Sequence, residues 1–190
     1  ARPQATSPPM SAVALLISIL PIRGPVVPGS KSLPTPPLRS HIIPLMPKAT
    51  PDHHDAELLV QVYDLRRESV MRESRRAILR DFWPKAWADV EAVLKAEHPL
   101  NAAYRQTATY WEMVYSMARH GIVSPAFWLE NNGEGLFLFV KVEPFLGKIR
   151  EAGQPAAFRN AEWVAKECPE GQSIYERIRA RVAQLAAARG

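Results

Sequence analysis

Three charged side chains recur every seven residues in the stretch from Asn101 to Pro125, namely Arg105, Glu112 and Arg119. On a helix this spacing places them in one row that drifts by only about 20° per heptad. Successive members lie roughly 10 Å apart along the axis, which is too far for contact within the row. Each charge must therefore meet another helix or water. Four charged residues of an earlier segment are the expected partners: Asp64, Arg66, Arg67 and Glu68.

Two interpretations of this row are open. In the first, the row joins the first helices to the helix that carries it, since ion-pair networks often imitate functional sites. In the second, Arg105 and Glu112 line the floor of a ligand pocket. Arg119, Asp64 and Arg67 are then further ligand-binding candidates. Glu112→Gln separates the two, because breaking a buried ion pair should cost roughly 3–5 kcal/mol, whereas losing a pocket residue leaves stability unchanged or raises it.

Other residue types found in catalytic or metal sites form no recognisable pattern. His53 and His54 are adjacent between two aspartates, so on a helix they point about 100° apart, and their spacing matches no ligand motif. Cys168 is the only cysteine, which excludes an intrachain disulfide. The sequence holds no nucleophile-elbow, Walker or dinucleotide-binding glycine pattern. We therefore assign no catalytic residue, no metal and no cofactor.

The composition divides the chain into two parts. Twelve of the 18 prolines lie in residues 1–51, together with five Lys or Arg and no Asp or Glu. Residues 52–190 hold 19 basic and 19 acidic side chains, so the net charge of +5 belongs to the N-terminal part. We expect residues 1–50 to form a disordered proline-rich arm and residues 51–190 a helical domain. Met46 precedes the first acidic residue and the first helix cap, which favours Met46 as the natural first residue.

The apolar run at residues 10–20 bears on localisation. It is too short for a membrane span, which needs about 17–25 residues, so no membrane span is predicted. It has the length of a signal-peptide apolar region, but its flanks are poor for cleavage. We expect a cytoplasmic protein, with secretion as the alternative. Because residues 52–190 are neutral, no specific nucleic-acid binding is expected.

A long, mostly buried helix at about residues 102–120 is predicted to organise the domain. Asn101 is the expected N-cap, and Gly121 suits the left-handed residue that ends such a helix. Aromatic and apolar residues cover roughly half of its circumference, which predicts packing on two sides. They include Tyr104, Trp111 and Tyr115. Ser124 and Pro125 then restart a helix as N-cap and first residue.

The corner at residues 118–130 also suggests a helix-turn-helix. A recognition helix needs Arg, Lys, Asn or Gln at its start, whereas residues 125–129 are Pro, Ala, Phe, Trp and Leu. This composition argues against nucleic-acid recognition.

The remaining segments are predicted to be helical as well. The first helix should start with Thr50 as N-cap, and a break is expected near residues 66–69, where two apolar stripes fall out of phase. The apolar run from Leu136 to Val142 suits a strand or a helix, but no second strand is available to pair with it, so we predict a helix that is kinked or restarted near Pro144. A further helix should open at Pro155. The predicted fold is all-α, an orthogonal bundle of about eight helices around the central one.

Three segments resemble small, uncharacterised, all-helical bacterial proteins classed as domains of unknown function. They are LRRESVMRES, HPLNAAYRQTATYWEMVYSMARHGIVSP and AFRNAEWVA, within about residues 58–164. The resemblance implies a helical bundle in a bacterial cytoplasm and brings no reaction. We expect a non-catalytic helical interaction protein that binds a protein partner or itself. The alternatives are an enzyme or small-molecule-binding domain with a polar pocket near Arg105 and Glu112, and a helix-turn-helix-like nucleic-acid binder.

Overall fold

The computed structural model describes residues 48–189, and every regular element in that range is helical. The nine α-helices of this range are α1 His53–Arg67, α2 Ser69–Asp81, α3 Trp87–Leu94, α4 Asn101–Arg119, α5 Pro125–Asn132, α6 Leu136–Val142, α7 Leu146–Glu151, α8 Arg159–Lys166 and α9 Pro169–Ala187. Two short 3-10 helices lie at Gly133–Gly135 and Glu143–Phe145. The predictions for the N-terminal arm, its apolar run and Met46 fall on residues 1–47, outside the described range.

The predicted break between the first two helices is confirmed at Glu68. Its non-helical backbone, with a ψ of 142°, interrupts the helical path between α1 and α2. Its carboxylate accepts a hydrogen bond from the N–H of Met71, 2.9 Å away. The predicted start of the first helix is wrong. Asp52, not Thr50, is the N-cap of α1, and its side chain accepts from the N–H of Asp55 at 3.2 Å.

Helix α4 lies in the core, and its predicted aromatic stripe is confirmed as buried. Tyr104, Trp111 and Tyr115 are at most 3% exposed. The helix packs against α2, α3, α5 and α8. The predicted capping role of Asn101 is wrong, because Asn101 is the first residue of the helix and its side-chain amide donates to the carbonyl of Val93 at 2.8 Å. Asn101 therefore joins the end of α3 to the start of α4.

The end of α4 is the one predicted from Gly121. This glycine has a φ of 65°, a left-handed conformation that suits a residue without Cβ. The N–H of Ile122 bonds to the carbonyl of Met117 at 2.9 Å, and the N–H of Gly121 bonds to that of Ala118 at 3.1 Å. These two bonds form a Schellman motif, which turns the chain towards α5.

The helix predicted for residues 136–142 is confirmed as α6. Pro144 lies in the 3-10 helix that follows, and a new α-helix starts at Leu146, because proline removes an N–H donor and crowds the preceding turn. This restart and the other breaks give nine α-helices in residues 48–189, so the expected count of about eight is not confirmed. The start predicted at Pro155 is wrong. Helix α8 begins at Arg159, after Phe158 at a φ of 54°.

Candidate functional site

Glu112 and Arg119 meet helix α8. The two carboxylate oxygens of Glu112 accept hydrogen bonds from the backbone N–H groups of Ala161 at 2.8 Å and Asn160 at 3.1 Å. The side-chain amide nitrogen of Asn160 donates to the backbone carbonyl of Glu112 at 3.0 Å. The side-chain oxygen of Asn160 accepts from the Arg119 guanidinium at 3.1 Å. The row therefore joins α4 to α8. The expectation that it joins α4 to the first helices is wrong for these two residues.

The electrostatics of Glu112 reflect two opposing effects. Partial burial raises the pKa of its carboxyl group, while the hydrogen bonds from Ala161 and Asn160 and the charges of Arg119 and Arg150 act in the opposite direction. The first turn of a helix carries unsatisfied N–H donors and a partial positive charge, which favour a carboxylate. Phe158 occupies the N-cap position of α8, but its side chain has no hydrogen-bond acceptor. The carboxylate of Glu112, on α4, caps the first turn of α8 instead.

Three other predicted site residues lie at the surface. Arg105, Asp64 and Arg67 are exposed, and none of them makes an ion pair within residues 48–189. Arg105 borders a cavity of about 320 Å³ whose lining does not include Glu112. The guanidinium carbon of Arg67 lies 5.6 Å from the centre of the Tyr63 ring. That these five residues bind a ligand stays a prediction.

Asp55, one of the two aspartates that flank His53 and His54, joins α1 to α5 through a buried contact that the sequence did not predict. Asp55 is fully buried, accepts from the Lys48 ammonium at 2.7 Å and accepts from the N–H of Ser124 at 3.1 Å. Ser124 is the N-cap by position, as predicted, but its hydroxyl has no partner among the described residues. The only local signal was an acid in the first turn of a helix, which is common at exposed helix starts.

The thiol of Cys168 is buried and neutral. Burial raises its pKa to about 11, and it donates to the Glu170 carboxylate at 3.2 Å. A cysteine nucleophile needs a lowered pKa, so this environment does not activate the thiol. Within residues 48–189, no three His, Cys, Asp or Glu side chains converge as metal ligands would.

Large apolar side chains are exposed at several positions on α1, α2 and α4 and in the turn after α4. Those at least 39% exposed in the described range are Val60, Tyr63, Leu65, Val70, Met113 and Ile122. Leu65 and Met113 border a groove of about 520 Å³, which we call the α1–α4 groove; its other lining residues are Glu68, Met71, Gln106, Thr109 and Tyr110. Glu68, the one charged residue of this lining, already accepts from Met71 and Ser69.

The fold and these contacts define, over residues 48–189, an all-helical domain in which Asp55 and Glu112 each join one helix to the start of another. The chain belongs to the family described as Domain of unknown function (DUF4760), which matches residues 51–168. This confirms the resemblance to an uncharacterised family noted over residues 58–164. No curated protein and no solved structure matches the chain. None of the helices described in residues 48–189 has the length and apolar character needed to cross a membrane.

Proposed function

We propose that this protein is a non-catalytic helical interaction protein that self-associates through the α1–α4 groove. The observation that carries the proposal is the pair Leu65 and Met113, which are 54% and 39% exposed beside an apolar depression. Met71 and Tyr110, both buried, line that depression. Exposed apolar surface around a cleft is a common mark of protein–protein contact.

A second copy of the chain fits the shape of this surface. An isologous two-fold interface needs a patch that is complementary to itself. The α1–α4 groove offers both a depression and the apolar side chains Leu65 and Met113 at its edge. In a two-fold pair, Leu65 of each copy enters the depression of the other.

Two exposed charges of α1, adjacent in sequence to the groove residues Leu65 and Glu68, support the same partner. Asp64 and Arg67 lie one turn apart on α1, have opposite signs and make no ion pair within the described residues. A two-fold axis brings Asp64 of one copy to Arg67 of the second and repeats this pair symmetrically. The orthogonal arrangement of helices around α4 is proposed as the scaffold that presents this surface.

The α4–α5 corner gives less support to nucleic-acid recognition. Trp128 and Leu129 of α5 are 0% and 1% exposed, and the indole N–H of Trp128 donates to the Val114 carbonyl at 2.9 Å. Side chains held in this way are not free to read base edges. An enzyme or small-molecule site near Arg105 and Glu112 has less support as well, because helix α8 already uses both Glu112 oxygens.

Sedimentation velocity of the full chain tests the self-association proposal. We expect a dimer that Leu65→Glu and Met113→Glu each convert to a monomer, because a carboxylate cannot be buried in an apolar contact without a partner. Ile122→Glu is the matched control, since Ile122 is 49% exposed but does not line the groove. A wild-type monomer at about 100 μM, a concentration above most specific dissociation constants, contradicts the proposal.

A further inference from the structure

A buried lysine lines a second cavity, which is formed by α6, α9, the segment that follows α2 and the 3-10 helix that follows α6. Lys141 is 5% exposed, and its ammonium donates to the carbonyls of Ile78 at 3.0 Å and Leu79 at 3.2 Å. The same nitrogen lies 3.8 Å from the centre of the Trp83 ring. Lys141 therefore satisfies the end of α2, but it has no carboxylate partner among residues 48–189.

The cavity beside this lysine, which we call the Lys141 cavity, has a volume of about 300 Å³. Its walls are mostly apolar and include Val140 and Phe145, while its charged lining consists of Lys85, Lys141 and Arg189. The guanidinium carbon of Arg189 lies 4.5 Å from the Trp83 ring centre. A cavity of this size is at the small end of those that hold organic ligands.

No acidic side chain lines the Lys141 cavity. The nearest carboxylates along the chain are already bonded elsewhere: Asp81 pairs with Arg80 at 2.7 Å, and Glu143 accepts from Tyr175 at 2.6 Å. The charge of Lys85 acts on the Asp89 carboxylate, which is not part of the cavity lining. The charges of Lys141 and Arg189 repel each other, and burial together with this repulsion lowers the pKa of Lys141 to about 8. A bound anion relieves this repulsion, as the proximity of opposite charges stabilises both.

From this combination we infer that the Lys141 cavity binds a small organic carboxylate with an aliphatic body. The carboxylate is held by Arg189 and Lys85 at the exposed rim, with Lys141 below it. The aliphatic body lies against Val140 and Phe145, where burial of apolar surface is favourable. A cationic ligand of the same length is rejected, because it meets three positive charges and no acid.

Isothermal titration calorimetry of the full chain with octanoate and with octylamine, an ammonium at neutral pH, tests this inference. We expect one octanoate site per chain and at least about tenfold weaker binding of octylamine, since one unscreened charge contact near a surface is worth that much. Lys141→Met is not a clean test, because it also removes two hydrogen bonds to α2 and so affects folding. We use Arg189→Glu instead and expect it to weaken octanoate binding by about tenfold or more.

Arg181→Glu is the matched control for Arg189→Glu. Arg181 is exposed on α9, which ends two residues before Arg189, and it does not line the cavity. Its replacement by Glu changes the net charge by the same amount. Unchanged octanoate binding in Arg181→Glu, together with weakened binding in Arg189→Glu, supports the site. Equal affinity for octanoate and octylamine, equal loss in the two variants, or no octanoate binding overturns it.

Discussion

The carboxylate of Glu112 and the backbone N–H of Ala161 are 2.8 Å apart, so a side chain of α4 caps the first turn of α8. Glu112→Gln keeps the shape but offers one oxygen where the carboxylate offers two, and its amide N–H₂ then faces a backbone donor. We expect a loss of about 1–3 kcal/mol in the free energy of unfolding, measured with urea. Glu91→Gln on the exposed side of α3 is the control and should change stability by less than about 0.5 kcal/mol.

The same substitution has a pH signature. Burial raises the pKa of Glu112 in the folded protein, so the folded state holds this proton more tightly than the unfolded chain. The contribution of this group to stability is therefore fully present below the unfolded pKa and decreases as the pH rises through the folded one. The stability of Glu112→Gln does not decrease in this way, because glutamine does not titrate. The stability difference between wild type and variant should narrow as the pH rises above the ordinary pKa of a glutamate, about 4.3. A difference that widens contradicts this assignment.

Asp55→Asn tests the buried contact between α1 and α5. Asparagine retains one oxygen, so either Lys48 or the N–H of Ser124 loses its acceptor. We expect a loss of about 2–3 kcal/mol, because the group left unsatisfied is buried or charged. Asp52→Asn is the matched control, since Asp52 is 58% exposed and asparagine caps a helix as well as aspartate does. If Asp52→Asn loses as much unfolding free energy as Asp55→Asn, the proposed role of Asp55 is contradicted.

Two glycine-to-alanine changes test the packing behind α4. A Cβ at Gly135 would lie 2.5 Å from the Trp111 ring and 2.6 Å from the Tyr115 hydroxyl oxygen, so Gly135→Ala should cost about 1–3 kcal/mol by overpacking. A Cβ at Gly147 in α7 meets no atom within 4 Å, so Gly147→Ala should stabilise by about 0.4–1 kcal/mol. Thermal melts of both variants against wild type give the comparison. Equal effects of the two changes argue against close packing at Gly135.

Local signals predicted much of the helical framework. Gly121 indicated the end of α4 because a left-handed residue suits glycine, and the phase change near residues 66–69 indicated the break at Glu68. The start of α1 was misplaced by two residues, since both Thr50 and Asp52 are good caps and helical periodicity does not choose between them. In the folded chain the Asp52 carboxylate, which caps α1, also lies 2.8 Å from the Lys48 ammonium.

The polar contacts could not be predicted in the same way, because their partners are distant in sequence. Glu112 meets Ala161, 49 positions along the chain, and Asp55 meets Ser124, 69 positions along. Helical periodicity places each side chain on a face but does not identify the helix that this face meets. The burial of Lys141 was missed for a related reason, since an apolar run does not show where its one cation points.

The most direct test of self-association is sedimentation equilibrium of four full-length proteins: wild type, Asp64→Arg, Arg67→Asp and the double variant that exchanges the two charges. In a two-fold interface, each single variant places like charges opposite each other, whereas the double variant restores opposite ones. We expect each single variant to weaken the dimer by about tenfold and the double variant to return to within about threefold of wild type. A wild type that stays monomeric, or a double variant as weak as the two losses combined, contradicts a dimer formed through Asp64 and Arg67.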